Sequence, residues 1–90
     1  MNSQQPPYPA SGVYEHFKST PEDRRYYQVL GVAQHTETSE VLVVYIALHA
    51  TYPGLRLKVR PLTMFTDMVE HNGTTVPRFR YLGPELSATN

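Results

Sequence analysis

The chain has 90 residues and no cysteine, and its eight basic side chains balance eight acidic ones, so the formal net charge is zero with histidine neutral. The absence of cysteine excludes disulfides, thiolate metal ligands and cysteine nucleophiles. Zero net charge argues against the strongly basic surface of a duplex-binding protein. No apolar run approaches the roughly 20 residues that span a bilayer, and the first residues do not resemble a signal peptide. We therefore expect a small cytoplasmic protein with no membrane contact.

The two ends of the chain differ in composition from its middle. Residues 1–12 contain three prolines, two glutamines, two serines and a glycine, a composition that buries too little surface to offset the entropy of ordering. We predict a flexible leader over residues 1–12, a single β-barrel domain over residues 13–82 and a flexible tail over residues 83–90. The hydrophobic content of 40% is sufficient for one small core.

Between the two ends, short segments rich in Val, Ile, Leu and Tyr predict β-strands. The predicted strands cover residues 13–18, 26–35, 40–49 and 56–60, followed by a final hairpin that turns at Asn72-Gly73. Pro61 to Phe65 predicts one tight helical turn. This order fits an all-β fold, a small SH3-like or Sm-like antiparallel barrel of about five strands with one short helical turn. An OB-type barrel or a plain twisted sheet is the alternative.

The two longest predicted strands form a hairpin whose faces follow from the pairing of His35 with Glu40. The predicted core face carries eight uncharged residues: Tyr27, Val29, Gly31, Ala33, Leu42, Val44, Ile46 and Leu48. The reverse face carries an apolar cluster of Leu30, Val32, Val43 and Tyr45, which the N-terminal strand, the polar turn after it or a second subunit has to cover. A weak homodimer is therefore expected. In the next strand, Leu57 and Val59 are predicted to point inward, and Arg56, Lys58 and Arg60 outward.

Six segments between positions 12 and 80 form an ordered series of motifs. They are Gly12 to Lys18, Tyr27 to Thr38, Val43 to Leu48, Val59-Arg60-Pro61, Met64-Phe65 and Val76 to Phe79. This series resembles a small bacterial family, the domain of unknown function number 1653. The resemblance implies no established activity. Lys58 departs from the family pattern, in which a tryptophan commonly precedes Val-Arg-Pro, so a ligand that stacks on that tryptophan would bind differently here.

Basic and aromatic residues late in the chain are the first candidates for a binding site. Arginine can hold a phosphate or carboxylate and stack on a base, and outward-facing residues could form one basic, aromatic-lined surface. The predicted site residues there are Tyr45, Arg56, Lys58, Arg60 and Arg78. The predicted partner is RNA, a nucleotide or another anionic ligand. The alternative is that the arginines have a structural role and pair with Asp67 or Glu70.

The segment from His35 to Thr38 is the second candidate. His35 beside Glu37 supplies the groups used in general acid–base catalysis, but the same residues can simply build a turn. None of the four histidines has the spacing of a chelating pair on one element, so no metal and no cofactor are expected. Three functions remain open: a non-enzymatic binding module, which we favour, a protein–protein or self-association module, and a small hydrolase-like enzyme centred on His35 and Glu37.

Overall fold

The computed structural model describes residues 8–48 and 53–85, which form two antiparallel sheets and one short helix. The first sheet has five strands in the order β4-β3-β2-β1-β7, and β5 and β6 form a separate hairpin. The all-β fold is thus confirmed. Pairing among the described strands leaves β4 and β7 as sheet edges, so the SH3-like or Sm-like barrel stays unconfirmed. The elements are β1 (Gly12–His16), β2 (Tyr26–Gln34), β3 (Val41–Ala47), β4 (Leu57–Pro61), α1 (Leu62–Phe65), β5 (Met68–His71), β6 (Thr74–Pro77) and β7 (Phe79–Gly83).

Several predicted segments fall on the ends of the chain or on a short gap in its middle. Residues 1–7 of the expected leader, residues 86–90 of the expected tail and His49 lie outside the described residues. Residues 8–11 of the leader are described, and the hydroxyl of Tyr14 donates a hydrogen bond of 2.8 Å to the carbonyl of Ala10. No helix in the described part of the chain is long and apolar enough to cross a membrane.

The helical turn and the last hairpin lie where the sequence predicts them. Pro61 immediately precedes α1, as expected for a residue with a fixed φ and no amide donor. In the hairpin, Asn72 and Gly73 both have positive φ, 53° and 79°, which is typical of the turn that joins two twisted strands. The pairs His71–Thr74 and Val69–Val76 are those that follow from a two-residue turn at Asn72-Gly73.

The hairpin of β2 and β3 contains an irregularity that the sequence analysis missed. Gly31 pairs with Val44, as predicted, but the register shifts between Val29 and Gly31, so that Val29 pairs with Tyr45. The extra residue, Leu30, makes a β-bulge, and a slip of one residue moves every side chain of a strand to the other face. One side of the sheet therefore combines Val29 from the predicted core face with Tyr45 from the predicted reverse face.

The predicted core face of β3 is consequently wrong. Val43, Tyr45 and Ala47 are the buried residues of this strand. The residues expected in the core, Leu42, Val44 and Ile46, are only half-buried, and Leu48 is exposed. The apolar cluster that was expected to need a cover includes two core residues, so it cannot itself be a dimer surface.

Strand β4 also has the opposite orientation from the prediction. Lys58 pairs with Tyr45, and Arg60 pairs with Val43. Because paired residues share a face, both cations lie on the inner side of the sheet, with the core. Leu57 and Val59 lie on the outer side and are 59% and 57% exposed. Apolar and charged residues alternate along this strand, and that pattern is compatible with either set facing the core. Here the charged residues lie on the core side and the apolar residues on the outer side, which is the reverse of the usual preference.

Strand β7 was not predicted as a separate element. It begins at Phe79, after a break at Arg78, and pairs antiparallel with β1. Its buried residue Phe79 joins an aromatic core on the inner face of the large sheet. There the ring of Phe65 from α1 stacks on Phe79 at 4.2 Å and meets Tyr14 edge-on at 5.3 Å. The core cluster consists of Tyr14, Val29, Val43, Tyr45, Phe65 and Phe79.

Candidate anion-binding cleft

The inner face of the sheet continues beyond the aromatic core into a cleft of about 380 Å³ beside the edge strand β4. Of the seven predicted site residues, the fold brings Tyr45, Lys58 and Arg60 together here, because β3 and β4 pair directly. The cleft is lined by Tyr27, Tyr45, Lys58, Val59, Arg60, Pro61 and Met64. It therefore combines two cations with tyrosines and apolar groups, which are the components that bind an anion attached to a flat ring.

Arg60 is positioned by aromatic groups. Its Nε donates a long hydrogen bond of 3.4 Å to the hydroxyl of Tyr45, and its guanidinium carbon lies 5.4 Å from the centre of the Phe79 ring. No carboxylate of residues 8–48 or 53–85 forms an ion pair with Arg60. The charge of this half-buried guanidinium is thus not neutralised by a direct partner, although the side chain is held in place.

Cations act on His16, the histidine of the inner face. The pKa of His16, which lies on this face beside Phe79, is lowered from 6.5 to about 4. Burial is the largest cause, and repulsion by Arg60 is the next. Further repulsion comes from Arg25, Arg78 and Lys18. A neighbouring cation disfavours the charged form of histidine.

Two of the predicted arginines make structural contacts. Arg78 forms a two-point ion pair with Asp67, with distances of 2.8 Å from Nε to Oδ1 and 3.2 Å from Nη2 to Oδ2. This hydrogen bonding is the main reason that the pKa of Asp67 is lowered and the pKa of Arg78 raised. Arg56 donates from Nη1 to the carbonyl of Ala47 at 3.2 Å. Neither residue lines the cleft.

His35 and Glu37 lie in the turn between β2 and β3, and neither lines the cleft. The Nδ1 atom of His35 accepts hydrogen bonds from the backbone amides of Glu37, at 3.0 Å, and Thr38, at 3.3 Å. That nitrogen is therefore not available to take a proton from a substrate. In the described part of the chain, no group of three or more acidic or histidine side chains is arranged to hold a metal ion.

Sequence reasoning missed part of the cleft. Tyr27 was assigned to the core, and Met64 only to the helical turn. Phe79 lies between two arginines in the sequence, which is the signal available for its contact with Arg60. Met64 lines the cleft from α1, and local patterns do not encode how a helix lies against a sheet.

The comparisons with known proteins agree with the resemblance found in the sequence. The family described as "protein of unknown function (DUF1653)" matches residues 12–81. The chain belongs to this family. Among solved structures, the chain is similar to the crystal structure of a DUF1653 protein from Bordetella bronchiseptica, with 35% sequence identity and a TM-score of 0.75. That alignment covers 89% of this chain and 94% of the other. The comparison with curated proteins gave no match.

Proposed function

We propose that this DUF1653 protein is a non-enzymatic binding module that holds a small anionic ligand, such as a nucleotide, in the cleft beside β4. The proposal rests on the surroundings of Arg60, a half-buried residue on the cleft wall. Its guanidinium contacts Tyr45 and Phe79 and forms no ion pair with a carboxylate of the described residues. Placing a cation that has no direct ion-pair partner in a partly buried site is unfavourable, and binding an anion would relieve that cost.

The size and charge of the site favour a small ligand over a long nucleic-acid strand. The cleft volume of about 380 Å³ lies at the lower end of the range for small-molecule pockets. Strand binding needs a row of cations that tracks the backbone. Here Arg78 is paired with Asp67, Arg80 with Glu15 and Arg56 with a backbone carbonyl. Lys58 and Arg60 are the two cations that line the cleft, enough for one phosphate group.

The two cations are well placed to act on the same group. Residues 58 and 60 are two apart on one strand, which puts them on the same face roughly 7 Å apart along the strand. A planar guanidinium can bind phosphate or carboxylate oxygens with two parallel hydrogen bonds. In this proposal the phosphate lies between Lys58 and Arg60, and the base of a nucleotide lies against Tyr27 and Met64.

Arg60→Gln is the direct test. We would titrate ¹⁵N-labelled protein with inorganic phosphate and with a nucleoside monophosphate at about 50 mM salt, where charge interactions are strong, and follow the amide shifts. Wild type should show shifts that saturate and concentrate on β3, β4 and α1. Because a charge-assisted hydrogen bond contributes about 1.5–3 kcal/mol, R60Q should weaken binding at least tenfold.

The matched control is Arg24→Gln, which makes the same charge change at an exposed arginine paired with Glu15. Equal weakening by R24Q and R60Q would mean that only the overall charge matters and would contradict the assigned site. Absence of saturable shifts with either probe at about 10 mM, a concentration that detects even millimolar affinity, would overturn the proposed function. A labelled single-stranded RNA that binds far more tightly than the nucleotide, with a steep loss of affinity in salt, would favour a strand ligand instead.

A further inference from the structure

A second cavity, of about 250 Å³, is lined by residues of the β5–β6 hairpin and of the strands β1 and β7. We call it the hairpin pocket. None of the described residues that line it also lines the cleft, so the two cavities are separate sites. The lining of the hairpin pocket includes Glu15, Phe17, His71, Val76, Pro77 and Arg80.

Rings and apolar side chains form much of this lining. The ring of Phe17 meets the imidazole of His71 edge-on, with the ring centres 5.4 Å apart. The amide of Phe17 donates a hydrogen bond of 3.0 Å to the carbonyl of Arg78, which fixes the backbone at this point. Val76 and Pro77 add apolar groups from β6. Because aromatic rings pair favourably edge-to-face or offset, this lining suits a flat apolar ring.

The polar part of the lining belongs to an ion cluster in which one carboxylate is paired with two guanidinium groups. Glu15 accepts a hydrogen bond from Arg24 at 3.0 Å through Oε2 and one from Arg80 at 2.7 Å through Oε1. The cluster therefore carries one excess positive charge. The side chain of Glu15 is 11% exposed and that of Arg80 is 62% exposed. Arg80 bonds to Glu15 through one nitrogen, and a guanidinium has further N–H donors with which to bind a ligand.

We propose that the hairpin pocket binds a small aromatic carboxylate, with its ring against Phe17 and Val76 and its carboxylate hydrogen-bonded to Arg80. A single negative charge matches the one excess cation of the cluster. A phosphate monoester carries up to about two charges at neutral pH, and the second would lie uncompensated near Glu15. Pockets for drug-sized molecules have volumes of about 300–1,000 Å³, so this smaller cavity suits a ligand with one ring. Binding here uses no residue of the cleft and is independent of the proposed function.

Benzoate is the probe, and benzamide, which has nearly the same shape without the charge, is the matched control. We would titrate ¹⁵N,¹³C-labelled protein with each compound to about 50 mM at constant ionic strength, so that charge screening does not change. Benzoate should bind with roughly millimolar affinity and give saturable shifts on β1, β5, β6 and β7. The methyl signals of Val76 should move because the bound ring lies against them. Benzamide should bind at least tenfold more weakly, because it lacks the charge-assisted hydrogen bond.

Arg80→Gln should likewise weaken benzoate binding at least tenfold. The control is Arg56→Gln, which makes the same charge change at a residue that lines neither cavity and should leave the affinity within about twofold of wild type. Circular dichroism establishes that both variants are folded, and the comparison of benzoate with benzamide needs no variant at all.

Four results would overturn the proposal. They are the absence of saturable shifts at about 50 mM benzoate, equal binding of benzamide, an R80Q variant that binds as tightly as wild type, and benzoate shifts confined to β3, β4 and α1. The last result would assign benzoate to the cleft. If benzoate binds as expected but phosphate and the nucleotide give no shifts around the cleft, the proposed function is contradicted and the hairpin pocket is supported.

Discussion

Two adjacent valines on β3 give the sharpest test of the sheet orientation. Val43 is 0% exposed in the aromatic core, whereas its neighbour Val44 is half-buried on the outer side of the sheet. Val43→Ala removes about two buried carbons, each contributing about 0.8 kcal/mol, and adds the cost of the cavity that remains. We expect V43A to lower the free energy of unfolding by about 2–3 kcal/mol. Val44→Ala, the same change one residue away, should cost less than about 1 kcal/mol because its side chain is already in contact with water.

Urea unfolding followed by circular dichroism measures both values. For a domain of this size the dependence on urea is about 1 kcal/mol per molar or slightly more. V43A should therefore shift the midpoint by roughly 2 M, whereas V44A should shift it by well under 1 M. Equal shifts, or a larger shift for V44A, would mean that the bulge at Leu30 does not exist and that the sheet faces the other way.

Two further predictions concern the stability of the sheet. Gly12 has a φ of 138°, and an added Cβ would lie 2.6 Å from the carbonyl oxygen of Gly83, so Gly12→Ala should lower the free energy of unfolding by about 2–5 kcal/mol. The control is Gly31→Ala, which should be neutral or slightly stabilising because a Cβ there meets nothing within 4 Å. Similar melting temperatures for the two variants would refute the close approach of β1 to β7. The pKa of His16 is lowered from 6.5 to about 4 in the folded protein. As the pH falls, this histidine is therefore protonated in the unfolded chain before it is protonated in the folded protein. Stability should therefore fall as pH falls from about 6.5 towards 4. Urea midpoints between pH 7.5 and 5.5 should fall less steeply in His16→Asn than in wild type, and parallel curves would contradict this effect.

Local signals in the sequence were sufficient for most of the elements. The Asn72-Gly73 turn defines its hairpin because both positions need positive φ, and the proline before α1 marks the start of that helix. The strands β2, β3 and β4 begin and end within two residues of the predictions. In each of these cases the structure depends on neighbours in the chain, which a sequence pattern records directly.

The errors in the prediction arise where distant parts of the chain meet. A glycine within a strand is a known sign of a bulge, and one unpaired residue at Leu30, next to Gly31, was enough to reverse the faces of β3 and of the second half of β2. Strand β7 was missed because β1, the strand with which it pairs in the described part of the chain, lies more than 60 residues earlier. Long-range pairing of this kind leaves no local signal.

Strand β4 turns its cations towards the core side and its apolar residues outward, against the usual preference, and the same strand forms the wall of the candidate site. These two facts have the same origin. Apolar residues outside and cations inside are unfavourable for a strand that only supports a fold, and departures of this kind concentrate at functional sites. Arg60 can occupy the inner face because the core supplies its contacts, the hydroxyl of Tyr45 and the ring of Phe79. Phe79 is in turn fixed by stacking on Phe65. The guanidinium is therefore held in position before any ligand arrives, which reduces the entropy lost on binding.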